Sequence, residues 1–353
     1  MKLSILLIFG GESSEHEVSL TSARNVYAAL DAEKYDVKLC YIARSGQEWL
    51  LVESFDNLHG SELVPLLGQQ TFQTQAGKIK IDVIFPVLHG KNGEDGTVQG
   101  LAALLHIPIV GCGILASALC MDKLRAKKIL RNDQYNGIKT AAWTSFHRDD
   151  QGQLSEQIKS IVADNGAGYS DLTERVGDGP WFVKPSRAGS SVGVSKVEKI
   201  ENLEEAINVA FQYDDAVLVE EAIIGQELEV AVLGNPPHHS ASGVGEVIPG
   251  DVFYSYSDKY ADGSASRVLL DANVSHAIRE VVRQQALRIY DTLGCTGLAR
   301  VDFFVRDGHE VFFNEVNTMP GFTNISMYPK LMMEMGMSYA ELCDRLISLA
   351  QEA

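Results

Sequence analysis

The sequence predicts an α/β protein of two or three domains that opens on a parallel sheet and closes on an antiparallel hairpin. Three observations carry this expectation. At 353 residues the chain exceeds a single typical hydrophobic core. Its N-terminal part alternates apolar runs with stretches of helical period, the pattern of β-α-β units and an open parallel sheet. Towards the C-terminus, LARVDFFV and EVFFNEVN flank Asp307-Gly308, a strong hairpin signal. With 45% hydrophobic and 22% charged residues, the composition is that of an ordinary globular protein. The formal net charge of −17 argues against non-specific nucleic-acid binding, which needs a basic face. Any anionic ligand must therefore meet a local group of Lys and Arg.

Taken in order, LSILLIF (3–9) reads as a buried strand, with Gly10-Gly11 as the turn after it. Ser14-Glu15-His16-Glu17 has the form of a capping box, and Val18, Thr21-Ser22, Val26 and Leu30 keep helical spacing behind it. Strands follow at 36–43 and 81–88, separated by a polar segment, 44–79, without a clear period. HGKNGEDGT reads as a loop, Val98–Leu105 as a helix and IPIVG as a short strand. Ligands bind at the carboxyl ends of the strands in such sheets, which is where GGESSEHE and HGKNGEDG sit. A helix near 115–132 carries Lys123, Arg125, Lys127 and Lys128. Within the polar stretch 146–180, GAGYSDLTERVGDG reads as a mobile loop or insertion. WFVKP and SKV then form a hairpin with a Gly- and Ser-rich tip. Helix 203–211, the strands AVLVEEAI and ELEVAVLG, a polar aromatic stretch at 246–268, helix 275–293 and a closing helix at 335–352 complete the chain.

The five cysteines (Cys40, Cys112, Cys120, Cys295, Cys343) show no CxxC or zinc spacing and read as small core residues of a reducing compartment. The N-terminal apolar run leads straight into the charged GESSEHEVS with no small-residue cleavage site, so a strand is expected there, not a signal peptide. No apolar run is long enough to span a membrane, and a cytoplasmic location is expected.

If Asp307-Gly308 is a two-residue turn, Arg300 faces Glu315, Asp302 lies diagonal to it, and Asn317 continues the same face. The opposite face then carries Val301, Phe303, Val305, Phe312 and Val316, a core pattern. A lone Arg–Glu pair on a half-exposed sheet is an ordinary ion pair. A second carboxylate and an amide oxygen at matched positions suggest more, because Mg²⁺ commonly takes one or two carboxylates plus substrate phosphates.

Other stretches fit such a site. The tip Lys184-Pro185-Ser186-Arg187-Ala188-Gly189-Ser190-Ser191-Val192-Gly193 offers backbone N–H groups and hydroxyls to phosphate oxygens, with Lys184 beside them, although a Gly/Ser loop is more often only a turn. It is not a Walker loop. Glu220-Glu221 and Gln226-Glu227 are either a solvated acidic edge or, beside a bound nucleotide, its base and ribose contacts. Glu15 and His89 are either structural or a pocket taking the amine and carboxylate of an amino acid. Phe253–Tyr260, bounded by Gly250 and Gly263, is either a surface loop or a lid that excludes water.

These motifs, in this order, resemble the D-alanine–D-alanine ligases of the ATP-grasp superfamily. The likeness runs through GGESSEHEVSL, FPVLHGKNGEDGTVQG, CMDK, VKPSRAGSSVGVSKV, VEEAIIGQELEVAVLG, FYSYSDKY, GLARVDFF and FNEVNTMPGFTNISMYP, nearly the whole chain. It implies three consecutive domains, 1–118, 119–219 and 220–353, with α+β architecture in the last two, which grip ATP. It implies that ATP phosphorylates one D-alanine and that a second D-alanine's amine attacks the acyl phosphate. By the same resemblance Glu15 holds the first ammonium and His89 lies by the carboxylate. Glu15, Ser190 and Tyr260 form a lid-closing triad. Lys123, Lys184, Ser191 and Lys259 contact the phosphates, while Glu220, Glu221, Ile223 and Glu227 bind adenosine. Asp302, Glu315 and Asn317 hold two Mg²⁺ ions, with Mn²⁺ able to substitute. Arg300 and the Gly321 N–H form the oxyanion site, and Ser326 and Met327 bind the second D-alanine.

The sequence departs from the family pattern in a longer segment before WFVKP, in Glu221 where some members have Lys, and in Met327 where some have Leu. Lys259-Tyr260 resembles the dipeptide-forming type and argues against a D-lactate ligase, whereas D-serine ligases share that pair. A catalytically silent nucleotide-binding regulator would not need Arg300 with Asp302, Glu315 and Asn317. A nicotinamide dehydrogenase is excluded because GGESSE lacks GxGxxG. The expected partners are small molecules, D-alanine and ATP, with no nucleic acid and no membrane. Oligomeric state, a homodimer included, is left open.

Overall fold

The computed structural model describes residues 2–132, 137–148, 167–250 and 267–352. The N-terminal apolar run forms β1 (Leu3–Gly10), paired in parallel with β2 (Tyr35–Ile42). Two antiparallel strands, β3 (Trp49–Val52) and β4 (Gly60–Glu62), extend β2 outward. β5 (Val64–Leu66), β6 (Thr71–Thr74) and β7 (Gly77–Lys80) make a small separate antiparallel sheet. β8 (Val83–Val87) then pairs in parallel with the other side of β1, giving the order β4-β3-β2-β1-β8. The expected parallel sheet is thus parallel only at its centre. The turn at 43–48 is too short for a crossover, so β3 must return antiparallel. Both faces of β1 are buried, Ile5, Leu7 and Phe9 in one core cluster and Leu6 and Ile8 in another. The IPIVG segment contributes a single parallel bridge, Ile84 to Ile109, in place of a full strand.

Helix His16–Ala29 starts one residue later than a capping box requires. Its N-cap is Glu15, whose side chain makes no capping bond, and Glu17 pairs with Arg44 instead. The single helix expected over 115–132 is two, Ile114–Met121 and Lys123–Asn132. Asp122 breaks the run in an extended conformation and caps the second helix, its Oδ1 accepting the Arg125 N–H at 3.0 Å.

The second sheet is antiparallel, in the order β11-β10-β12-β9, from β9 (Trp143–His147), β10 (Trp181–Pro185), β11 (Ser195–Val197) and β12 (Ala216–Glu221). Helix Leu203–Ala210 packs on it. The GAGYSDLTERVGDG stretch, expected as a loop, contains helix Ala167–Val176; Leu172 and Val176 are buried beside Trp181, and that apolar pair four apart anchors it.

The third sheet runs β15-β14-β13-β16-β17, from β13 (Gln226–Asn235), β14 (His238–Ile248), β15 (Arg267–Leu269), β16 (Leu298–Arg306) and β17 (Glu310–Asn317). Helix His276–Thr292 covers one face, capped by Ser275. Helices Met327–Glu334 and Tyr339–Glu352 return to the first sheet and share the core of Ile5, Leu7 and Phe9. The positions expected as domain boundaries, 118/119 and 219/220, fall inside helix Ile114–Met121 and strand β12.

The β16–β17 hairpin departs from the expected register. Arg306 pairs with Glu310 across a three-residue turn in which Asp307 and Gly308 have positive φ. A bulge at Asn314 then shifts the ladder, so Asp302 faces Glu315 and Arg300 faces Asn317. On the turn side of the bulge, the three-residue turn puts Phe313, not Phe312, into the core beside Phe303, while Phe312 stacks under Arg306.

Gly297 closes the approach of this sheet to the N-terminal unit. Its φ is +68°, and a Cβ there would lie 3.1 Å from the Gly111 Cα and 3.2 Å from its N and O. Gly297→Ala is expected to destabilise the protein by about 1–3 kcal/mol, read as a lower denaturation midpoint. An unchanged midpoint would remove this contact as a constraint.

Candidate active site

A cavity of about 370 Å³ lies between the second and third sheets. Its walls include Lys123, Lys184, Ser190, Ser191, Glu221, Ile223, Glu227 and Glu315. Buried at its back, Glu220 receives two ammonium groups, Lys184 Nζ at 2.8 Å and Lys127 Nζ at 3.0 Å. Burial alone would raise the Glu220 pKa, but the two lysines pull it down to about 2. Burial pushes Lys127 below the usual lysine range, while in Lys184 the attraction of Glu220 outweighs burial and the pKa rises. Lys123 bridges outward, donating to the Ala188 carbonyl at 2.8 Å and pairing with Glu315 at 3.0 Å. Ser190 and Ser191 both have left-handed φ, 52° and 58°, so the Gly/Ser tip is held in a tight, backbone-exposing turn.

Along β16, Arg300 forks onto Asp302, Nε at 2.8 Å and Nη2 at 2.6 Å, and also pairs with Glu229 at 3.1 Å. The Arg300–Glu315 pairing expected from parity is absent, because the longer turn and the bulge each shift the ladder by one residue and give Asp302 the place opposite Glu315. Burial disfavours the Arg300 charge, but Asp302 and Glu229 more than compensate and hold its pKa well above the usual value. Asn317 donates Nδ2 to Asp302 at 3.2 Å, which leaves its amide oxygen as an acceptor. Two carboxylates and one amide oxygen on one ladder are hard donors that fit Mg²⁺, with phosphate oxygens completing the shell. Among the described residues no three His, Cys, Asp or Glu side chains form a metal cluster by themselves.

The N-terminal sheet supplies the third wall. Glu15 is buried, and Cβ atoms built at Gly90 and Gly189 would lie 3.4 and 3.5 Å from its Oε2. Glu15 thus stands between the HGKNGEDG loop and the Gly/Ser tip. His89 is also buried, with Nδ1 2.9 Å from the Met319 carbonyl and Nε2 3.3 Å from Ser22 Oγ. Glu94 accepts the Gly90 and Met319 N–H groups at 2.9 and 3.0 Å. Its burial, followed by the nearby Glu15 charge, pushes its pKa up to about 8.

Two family models match the chain, "D-ala D-ala ligase N-terminus" over residues 4–112 and "D-ala D-ala ligase C-terminus" over 134–348. The chain belongs to this family. A D-alanine–D-alanine ligase of Ruminiclostridium cellulolyticum is 45% identical, and D-alanine–D-alanine ligase A of Chromobacterium violaceum is 44% identical. Both alignments cover 99% of this chain and 96% of the relative. The crystal structure of the VanG D-Ala:D-Ser ligase from Enterococcus faecalis superposes with a TM-score of 0.84 at 38% identity, covering 99% of this chain and all of that one.

Of the residues the ligase resemblance singles out, the fold brings Lys123, Lys184, Ser190, Ser191, Glu220, Glu221, Ile223, Glu227 and Glu315 to one cavity. Arg300, Asp302 and Asn317 continue from Glu315 along the β16–β17 ladder. Glu220 faces the two lysines, and the Glu221 carboxylate pairs with Arg306 at 2.7 Å. Ser326 is the N-cap of helix Met327–Glu334, its Oγ accepting the Thr323 N–H at 3.0 Å. The Met327 side chain is buried against Gly245. Lys259 and Tyr260, with the expected lid, lie outside the described residues.

Sequence reasoning missed Lys127, Glu229 and Glu94. Lys127 sits four residues after Lys123, and Glu229 two after Glu227, so helical and strand periodicity could have flagged both. For Glu94 only its place after a strand end was available.

The Glu94 carboxyl carries a pH dependence. Below pH 4.5 both folded and unfolded forms are protonated and its stabilising contribution is complete. As pH rises towards 8, the unfolded chain ionises while the folded site keeps its proton, so stability falls. Glu94→Gln is expected to remove that part of the slope. Melting temperatures of the two proteins from pH 5 to 8 test this, and parallel curves would refute it.

Proposed function

We infer that this chain is an ATP-dependent, ADP-forming ligase that joins two D-alanine molecules into D-alanyl-D-alanine, a peptidoglycan precursor. The observation that supports this most directly is the juxtaposition of Arg300, Asp302, Glu315 and Asn317 with the lysine-lined cavity. A site that only bound nucleotide would need the lysines but not a partly buried, forked arginine at the reacting end. We propose three consecutive units, 1–118, 119–219 and 220–353, with the nucleotide between the last two. A cytoplasmic location, where ATP is supplied, accords with the function. No helix among the described residues is long and apolar enough to cross a membrane.

Lys123 and Lys184 hold the ATP phosphates with Ser191 of the Gly/Ser tip and, from the lid, Lys259. Glu220 keeps Lys184 charged and in place. The backbone of Glu221 and Ile223 takes the adenine edge, and Glu227 the ribose. Asp302, Glu315 and Asn317 would hold the divalent cations, two Mg²⁺ with Mn²⁺ able to substitute. Bound there, such ions would supply positive charge to the phosphate oxygens during phosphoryl transfer to a carboxylate. Glu15 takes the first D-alanine's ammonium beside His89, and with Ser190 and Tyr260 it ties down the lid. The second D-alanine's carboxylate lies at Ser326 and the Met327 backbone. Its amine attacks the D-alanyl phosphate carbonyl, phosphate leaves, and the C–O bond to phosphate is replaced by the peptide C–N bond. Arg300 and the Gly321 N–H receive the negative charge on the tetrahedral oxygen, a preorganised electrostatic site.

Purified protein with ATP, Mg²⁺ and D-alanine is expected to release phosphate in step with D-alanyl-D-alanine formation. A panel of second substrates decides the branch: strong preference for D-serine would move it to that branch, and no phosphate above background would favour a silent regulator. Light scattering on the same sample reads the oligomeric state. Arg300→Lys keeps a cation between Asp302 and Glu229 but loses the fork. Turnover should fall about a hundredfold or more with ATP binding retained, the scale of losing an oxyanion donor. Near-normal turnover would remove Arg300 from this role.

A further inference from the structure

The segment Met319–Phe322 links the third sheet to the helices that return to the N-terminal unit. Its backbone is held at four points, all outside its own sheet. The Met319 N–H donates to Glu94 Oε1 at 3.0 Å, and the Met319 carbonyl lies 2.9 Å from His89 Nδ1. The Phe322 N–H donates to Ser22 Oγ at 3.2 Å. The Phe322 carbonyl accepts from Asn25 Nδ2 at 3.2 Å and from Tyr339 Oη at 2.7 Å. Pro320 has no N–H. Among the described residues, the Gly321 amide is therefore the one donor of this segment with no protein acceptor.

From this pinning we propose that Ser22, Asn25 and Tyr339 are positioning residues for the ligation step: they lock the N–H and the carbonyl of Phe322, and so the two peptide units that follow Gly321, so that the Gly321 N–H alone remains to meet the tetrahedral oxygen. The proposal rests on the functional reading above. Ser22 Oγ, 3.3 Å from His89 Nε2, accepts the Phe322 N–H and can donate its own proton to the ring. That arrangement needs the proton on Nδ1, which donates to the Met319 carbonyl. One imidazole thus ties the two ends of the segment together, and His89 acts through the loop as well as lining the substrate pocket. Ser22 and Asn25 lie three residues apart on helix His16–Ala29, on one face, so a single rigid helix sets the loop. Preorganised donors act by having no reorganisation left to undergo, and displacements near 1 Å cost about a hundredfold in rate. A site on one unit whose donor is aimed by another also makes turnover sensitive to how the two units are docked.

The test compares steady-state kinetics of the wild type with Tyr339→Phe and with the Asn25→Ala/Tyr339→Phe double variant. Tyr339 is partly exposed, so its single variant should fold. Its kcat is expected to fall severalfold. The double variant, which strips both side-chain donors from the Phe322 carbonyl, should lose about tenfold to a hundredfold, with KM for ATP within twofold of wild type. Rates are referred to active sites counted by nucleotide binding, so a purely structural role would lower the count and the melting temperature but leave kcat per site. An unchanged kcat in the double variant, or a loss carried by KM for ATP, overturns the proposal. Failure of the wild type to ligate D-alanine would instead overturn the functional reading.

Discussion

In a protein whose own net charge is −17, a buried carboxylate, Glu220, holds two lysine ammonium groups together at the back of one cavity. Two ammonium groups cannot sit side by side at the back of a cavity without a compensating charge, because their repulsion and desolvation would drive one to lose its proton. Glu220 lies between Lys127 and Lys184 and is nearly inaccessible. Helix Lys123–Asn132 and strand β10 thus converge on one carboxylate of β12. Lys123, one turn before Lys127 on the same helix, is thereby aimed at the Gly/Ser tip and at Glu315. The pair is coupled: removing Glu220 would cost both cations their partner, and the geometry of the whole phosphate end would follow.

The β16–β17 end of the site uses the same device with opposite sign. Arg300 is a partly buried guanidinium held by two buried carboxylates, Asp302 and Glu229. Their attraction keeps the arginine charged where its desolvation is costly, and the planar fork fixes its direction. The N-terminal unit completes the enclosure from a third side, through Glu15 against the Gly/Ser tip and through the contacts that hold Met319 and Phe322. The candidate site is thus a meeting of three sheets, and none of them contains it alone.

Much of this was legible in the chain. Buried strands β1 and β8, the Gly/Ser-tipped hairpin of β10 and β11, and the long helix His276–Thr292 follow from periods of two and 3.6 and from turn residues. Where reading failed, a local rule met a tertiary constraint. The capping box gave way because Glu15 turns inward to the site instead of back to its helix. The loop at 166–179 contains a helix because Leu172 and Val176 found Trp181, a contact that composition cannot show. A three-residue turn shifted the ladder by one residue, exchanging Phe312 for Phe313, and the bulge at Asn314 shifted it by one more, which placed Asn317 instead of Glu315 opposite Arg300.

By itself the sequence determined which chemistry was present: the oxygen donors, the lysines, the glycine-rich tip and the family to which their order belongs. Those follow from residue type and short-range spacing, which a linear chain carries explicitly. Only the tertiary structure decided the pairings, Glu220 with two lysines, Arg300 with Glu229, and Phe322 with Ser22, Asn25 and Tyr339. Each joins elements far apart in the chain, and each is selected by the cost of burying a charge or a peptide group without a partner, which is settled only when the whole core closes.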